Sequence, residues 1–419
     1  MMGLRIPFAN WNIVFSFQIY HLALLLIGVY LWNKIADELL LSLRGRWLGF
    51  CGLFVNFAML KWVFYYPVLT DLTSYVLGLF LVYFFLKRNQ IGILMILILG
   101  FFTWPNFFEI GVVLLIFPKS ALSLKAARFK LNTLLAIAAS ACVLVGSLYI
   151  FYSWENPWGN SVPIETSVIP LSIVLMATFT FYVVKALSNA QELYTIKSLV
   201  TRLDFKWSTL GVLTFLGLQL LLFLYARQLG DITKQARYNT VLQAFVRNLL
   251  FLGNKQPFIF FIAHVLFFGP IILLAFLFWK RCCHVIHAHG PGLTLFVALG
   301  LLLSLNAESR TLVNLFPFFA VFTVKALEQF QWKSSYYLFI AFVSFIFSKV
   351  WLLINAAPTP DPNAGVAAYL EFPWQKLFMN SGYLVSGLSY ITQGSAVLLT
   401  GIVFYFMFVH ISPRPDQEK

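Results

Sequence analysis

Apolar residues fill this chain in runs of about 20, the length a helix needs to cross a hydrocarbon core about 30 Å thick. The runs recur from one end to the other, and the pattern predicts full spans at 12–32, 47–66, 72–86, 131–152, 166–186, 208–226, 258–279, 291–305, 311–327, 336–354 and 388–409. The segments between them are short, and none is long and polar enough to form a separate soluble domain. The predicted fold is all-α: a polytopic transmembrane helical protein of about 11 spans plus one re-entrant helix hairpin, with residues 1–419 forming a single transmembrane domain.

The hairpin is predicted at 91–117, where Thr103-Trp104-Pro105-Asn106 interrupts the apolar run and leaves two arms too short to cross. Charge separates a hairpin from a single kinked span. With a hairpin, 19 of the 29 Lys+Arg fall on one side, 8 on the other and 2 (Lys61 and Lys349) within spans. A single span would leave 12 on the first side and 15 on the second. Cytoplasmic loops carry the Lys/Arg excess, so the hairpin is preferred; its tip is then expected inside protein, because unpaired backbone cannot face lipid. This arrangement puts the N-terminus outside, as the loss of a preceding helix would. Two external segments complete the pattern. Around 227–256, Tyr238, Val241, Leu242, Phe245 and Leu249 follow helical spacing opposite Gln235, Asn239, Gln243 and Arg247, which reads as an interfacial helix. The other is a loop at 355–387 that opens with Pro358-Thr359-Pro360-Asp361-Pro362.

Composition sharpens the class. The chain is 60% hydrophobic and 11% charged, against about 25% charged in a soluble domain, and its mean hydropathy is +0.83. The partner implied throughout is the lipid bilayer. The net charge of +14 is scattered through short connections, which fits the positive-inside bias and gives no reason to expect nucleic acid. The first apolar run lacks a basic leader and a small-residue cleavage site, so it reads as a retained span. The four cysteines make no CxxC pair, and Cys282 and Cys283 sit at a membrane edge where S-acylation is conceivable. The His284/His287/His289 cluster lacks the converging ligands that metal binding requires. The sequence holds no P-loop, GxSxG or HExxH, so nucleotide hydrolysis and the usual hydrolase schemes lack a basis.

A charge at mid-span costs roughly 2.5–3.5 kcal/mol on insertion scales, so the placement of the rare ionisable residues carries information. Asp71 follows Tyr65-Tyr66-Pro67 at an outer helix end, where it could also cap the helix beginning at Leu72. Lys61 and Lys349 lie near outer ends and could equally snorkel. Glu308 and Arg310 occupy a tight outer turn that their pairing could close, and Glu109 lies within the hairpin. Most unusual charges thus gather on one side. His21 and His264, within spans, read as packed or hydrogen-bonded residues.

These stretches support a resemblance. Tyr66-Pro67-Val68-Leu69-Thr70-Asp71, followed by a span, a basic turn and a short helix pair broken near Thr103, resembles the middle of class C glycosyltransferases. Asn306-Ala307-Glu308-Ser309-Arg310, with Pro317 in the next span, resembles an E-x-R … P pattern of related bacterial membrane proteins. The resemblance covers roughly 12–330. It implies a multi-span enzyme, expected in a bacterial cytoplasmic membrane, that moves a sugar from a polyprenyl-phosphate carrier at the non-cytoplasmic face. Such chemistry needs a carboxylate base for the acceptor hydroxyl and cations for the departing phosphate. The implied catalytic residues are Asp71 and Glu308. The implied phosphate-binding residues are Lys61, Arg310 and Lys349, with Arg237 and Arg247 guiding the carrier; a divalent cation beside the carboxylates is left open. Two departures stand out. The family's Thr-Lys element reads Thr103-Trp104 here, and its first helix and catalytic loop have no counterpart, because the first span resembles the family's second. Three alternatives follow: a transporter or flippase of lipid-linked sugars, an external polymerase or ligase joining sugar chains, and a non-catalytic subunit acting with a membrane partner.

Overall fold

The architecture is taken from a computed structural model. It describes residues 13–65, 69–104, 106–123, 125–153, 166–228, 249–330, 332–352, 385 and 387–408. Among these residues the chain is all-helical and contains no strand. The principal helices are α1 (Ile13–Glu38), α2 (Leu43–Phe54), α3 (Asp71–Leu86), α4 (Gln90–Phe101), α5 (Asn106–Gly111), α6 (Phe129–Ser153), α7 (Ile169–Leu187), α8 (Phe205–Gln228), α9 (Ile259–Phe268), α10 (Ile271–Leu277), α11 (Trp279–His287), α12 (Pro291–Leu303), α13 (Phe316–Leu327), α14 (Ser334–Ser348) and α15 (Gly387–Phe408). Among the described residues, five helices are long and apolar enough to cross a membrane, and the other apolar helices are shorter.

Local sequence sets many of the boundaries. Ser42 Oγ accepts from the Gly45 amide at the start of α2, and Asn89 Oδ1 from the Gly92 amide at the start of α4, each satisfying one orphan N–H of a first turn. Prolines open α7, α12 and α13, where a missing N–H costs nothing. Gly269-Pro270 divides the run read as one span at 258–279 into α9 and α10; Gly269 takes φ +85°, a conformation other residues resist.

Helix α13 forms the centre. Apart from Thr323 and Lys325 it is apolar, packs against α2, α3, α10 and α11, and buries Phe316, Phe318, Val321, Phe322 and Val324. A helix with no polar face has to be enclosed or lipid-bathed, and here neighbours enclose it. The outer helices are the reverse: α8 presents Leu213, Leu216, Leu220 and Leu221, and α15 presents Leu398, Leu399 and Phe406. An apolar exterior on this scale is stable only in lipid.

The 91–117 segment folds back on itself. Gly100 lies against the Phe107 ring and Gly111 against Leu97, so the arms run antiparallel at close range. The Lys119 ammonium donates to the Leu86 carbonyl, returning the chain to the end from which it left. The tip is tied down by protein, as a hairpin at membrane depth requires: Asn106 donates to the Thr311 carbonyl (3.3 Å), and Asn314 donates to Asn106 (3.2 Å).

The interfacial-helix reading needs correction at its C-terminal part. Residues 229–248, Arg237 and Arg247 among them, lie outside the described residues, as do 353–384 of the external loop. Leu249–Leu252 and Asn254 are buried, not laid on a surface. The Phe251 ring stacks on Phe151, Asn254 donates to Ser147, and the Gly253 position approaches the Leu305 carbonyl closely. Apolar side chains at this depth pack between helices instead of floating at an interface. Cys282 and Cys283 are buried as well, and burial pushes the Cys282 thiol up to about 12, which removes the access and thiolate character that acylation needs.

Candidate functional site

The N-terminus of α3, the hairpin tip and the turn before α13 meet at one end of the bundle. Asp71 is the first residue of α3 and is 1% exposed. Its carboxylate does not cap its own helix; Thr70 holds that position. One oxygen accepts from Trp62 Nε1 (2.7 Å) and from Arg310 Nε (2.8 Å), and the other from Arg310 Nη2 (3.1 Å). The fork of the guanidinium matches the two carboxylate oxygens, and the positive end of α3 adds to the field holding the anion.

Arg310 therefore does not pair with Glu308, contrary to the turn-closing expectation; its partner lies 239 positions away. Its guanidinium stands over two indole rings, 5.8 Å from the centroid of Trp62 and 5.7 Å from that of Trp104. Such cation–π contacts hold a guanidinium plane in place as well as attracting it. Where the resemblance expects a lysine after Thr103, the tip presents Trp104, and the cation at that place arrives from Arg310. Thr70 Oγ1 donates to the Thr103 carbonyl (3.5 Å), a long bond that joins the first loop to the tip.

Glu308 is half-buried beside this pair. Its backbone is engaged, the amide with Asn306 Oδ1 and the carbonyl with Thr311. Its carboxylate makes no ion pair among the described residues. Burial raises its proton affinity above the usual carboxylate range; the Arg310 charge opposes that rise and Asp71 adds to it. The Trp104 indole N–H is buried without a partner among the described residues. The site thus combines an anchored carboxylate, a stacked guanidinium, a second carboxyl group with raised proton affinity and a spare donor. It does not suit a divalent cation: both Asp71 oxygens already accept from N–H groups, and a guanidinium occupies the side a cation would take.

Lys61 and Lys349 come together, but no contact among the described residues links them to Asp71 or Arg310. The π-helical turn Ala58–Trp62 separates two adjacent side chains: Trp62 reaches Asp71, and Lys61 reaches the Lys349 carbonyl. Turns of this kind re-aim side chains where a regular helix would not. The single phosphate site expected from Lys61, Arg310 and Lys349 is therefore two separate clusters.

Trp62 and Gln393 carry no mark in the sequence, and Trp104 enters there only as part of the hairpin interruption and as the departure from a Thr-Lys element. A tryptophan near a membrane end ordinarily marks the headgroup belt, which masked Trp62. The one available signal was Trp104-Pro105 at a tip already expected to lie inside protein. Four histidines are bonded to chain groups: His21 to the Val63 carbonyl, His264 to Ser309 and the Ser304 carbonyl, His287 to the Leu187 carbonyl and His289 to the Val285 carbonyl. Set against known proteins, the chain matches no family model, no curated protein and no solved structure.

Proposed function

We propose that this membrane protein transfers a sugar from a polyprenyl-phosphate carrier, with the Asp71–Arg310–Glu308 cluster as its reacting site. One observation carries the reading: the turn before α13 and the hairpin tip, far apart in sequence, bring together a guanidinium, a half-buried carboxyl group and an unpartnered indole N–H, and the start of α3 anchors the guanidinium through Asp71. In this scheme Glu308 takes the proton from the acceptor hydroxyl, whose oxygen forms the new bond to the sugar's anomeric carbon. The bond from that carbon to the phosphate oxygen breaks, and the oxygen keeps the electron pair. Arg310 stabilises that charge with its remaining N–H groups, and Asp71 is a positioning residue that holds the guanidinium. The apolar helices support eleven passes and a re-entrant hairpin in this reading. The Lys/Arg-rich end faces the cytoplasm of a bacterial cell, as the resemblance implies, and the site opens on the other face.

The test is transfer of labelled sugar from polyprenyl phosphate by the purified chain in detergent. Glu308→Gln is expected to lower the rate by about two to four orders of magnitude, the usual contribution of a general base, while the melting temperature holds. Burial favours the protonated acid, so the wild-type rate should rise with pH through a midpoint above the ordinary glutamate value of 4.5. A fully active Glu308→Gln variant removes the assignment. Movement of lipid-linked sugar across a bilayer without transfer would point to a carrier, and transfer only with a second membrane protein to a subunit role.

A further inference from the structure

Lys61 and Lys349 are 288 positions apart, yet the half-buried Lys61 ammonium reaches the backbone of the buried Lys349. Lys61 Nζ donates to the carbonyls of Lys349 (2.6 Å) and Leu352. Lys349 ends α14 in the left-handed conformation, with φ 52°, and its ammonium donates to Gln393 Oε1 on α15. That bond fixes the amide: its oxygen faces the ammonium, so its nitrogen is the group left over. Gln393 is 7% exposed and Lys349 9%, and Gln393 Nε2 is buried with no partner among the described residues.

An ammonium carries three N–H donors and no acceptor. Lys61 uses donors on the two carbonyls and Lys349 uses one on Gln393, which leaves donors over on both lysines and on the amide. No carboxylate among the described residues pairs with either lysine, and the two charges lie close enough to repel. Tying off the last carbonyls of α14 accounts for Lys61 as a helix-end cap. It does not account for Lys349 or for the orphaned amide nitrogen. Among the described residues the carbonyls and the amide oxygen here are already bonded, and the donors left over, together with two positive charges, are complementary to an anion. The donors left over lie on three chain segments, so each can take a different oxygen of a polyoxyanion such as phosphate.

We propose that Lys61, Lys349 and Gln393 form an anion site for a phosphate-type oxyanion, carried by a lipid headgroup or by a soluble phosphate. The site is separate from the Asp71–Arg310 cluster and does not depend on the sugar-transfer reading.

The test uses the full chain and reads stability and binding, not activity. In neutral detergent, sodium phosphate is titrated against sodium chloride at matched ionic strength while the melting temperature is followed. In nanodiscs of phosphatidylcholine, with or without phosphatidylglycerol, native mass spectrometry counts retained anionic lipid. Stabilisation by phosphate identifies a soluble source, and retention of phosphatidylglycerol alone identifies a headgroup. Lys349→Gln should weaken whichever response occurs by about tenfold, equivalent to 1.4 kcal/mol. Gln393→Glu places the missing negative charge inside the site, so it should raise the melting temperature without added anion and abolish the response. No response in either arm, or a Gln393→Glu chain that responds as the wild type does, overturns the site.

Discussion

The two ends of the helix bundle use basic residues in opposite ways. At the Lys/Arg-rich end, cations staple one connection to another through backbone carbonyls: Lys325 reaches Leu39, Arg44 reaches Trp332, and Arg202 reaches Ala121. The ion pairs there are partly solvated, as between Arg46 and Asp37, whose side chains are 33% and 52% exposed. Among the described residues, the charges gathered at the other end, Asp71, Arg310, Lys61 and Lys349, are half-buried or buried. The Arg310–Asp71 pair is 18% and 1% exposed, and Lys349 is as buried as an apolar core residue. Solvated pairs contribute about 0–1 kcal/mol each and can be many. Enclosed charges tolerate no loss of a partner, so they persist only where the surroundings hold them or a ligand completes them. The contrast separates an end where cations fasten connections to one another from an end where buried charges are held by a few specific partners.

The largest break in that contrast should come from Arg310→Ala. It leaves Asp71 buried with only the Trp62 donor, and the expected loss is about 3–5 kcal/mol, measured as unfolding of the detergent-solubilised chain. Replacing both partners together, Asp71→Leu with Arg310→Met, should recover much of that loss. A double variant as unstable as the single would mean that the damage lies in packing, not in the stranded charge. Gly78→Leu comes next. A Cβ at Gly78 would stand 2.5 Å from the Asn314 carbonyl oxygen, so α3 must shift away from the turn before α13, at an overpacking cost of about 1–3 kcal/mol. The same shift should separate Asp71 from Arg310, which a disulfide cross-linking comparison between cysteines at 70 and 311 would register. Asp37→Asn, at the basic end, should cost less than about 1 kcal/mol, and raising the salt should shrink even that difference. A larger, salt-insensitive loss there would erase the distinction between the ends.

The hairpin and the sorting of basic residues were legible along the chain, because a proline-interrupted apolar run and a charge asymmetry are both properties of composition and order. Asp71, Glu308 and Arg310 stood out for a related reason: ionised groups near a membrane segment are expensive, so each is conspicuous by itself. Their partners were not legible. Reading along the chain favours near neighbours, and it joined Glu308 to Arg310 and Asp71 to its own helix. The fold instead joins positions 71 and 310 and leaves Glu308 without an ion pair. Gln393 stayed hidden because a glutamine within an apolar helix has no meaning until the group it faces is known.

By itself, then, the sequence determined that the chain is a bundle of apolar helices suited to lipid, with a folded-back segment and one strongly basic end, because periodicity, run length and charge count act locally and add up along the chain. Only the tertiary structure decided which rare charge meets which. That choice depends on close helix approaches such as Gly78 against Asn314 and on the wide turn at Ala58–Trp62, which aims Lys61 and Trp62 at different neighbours. Side-chain pairing falls off over a few ångströms, whereas the chain separates these residues by hundreds of positions, so packing alone can bring them into range.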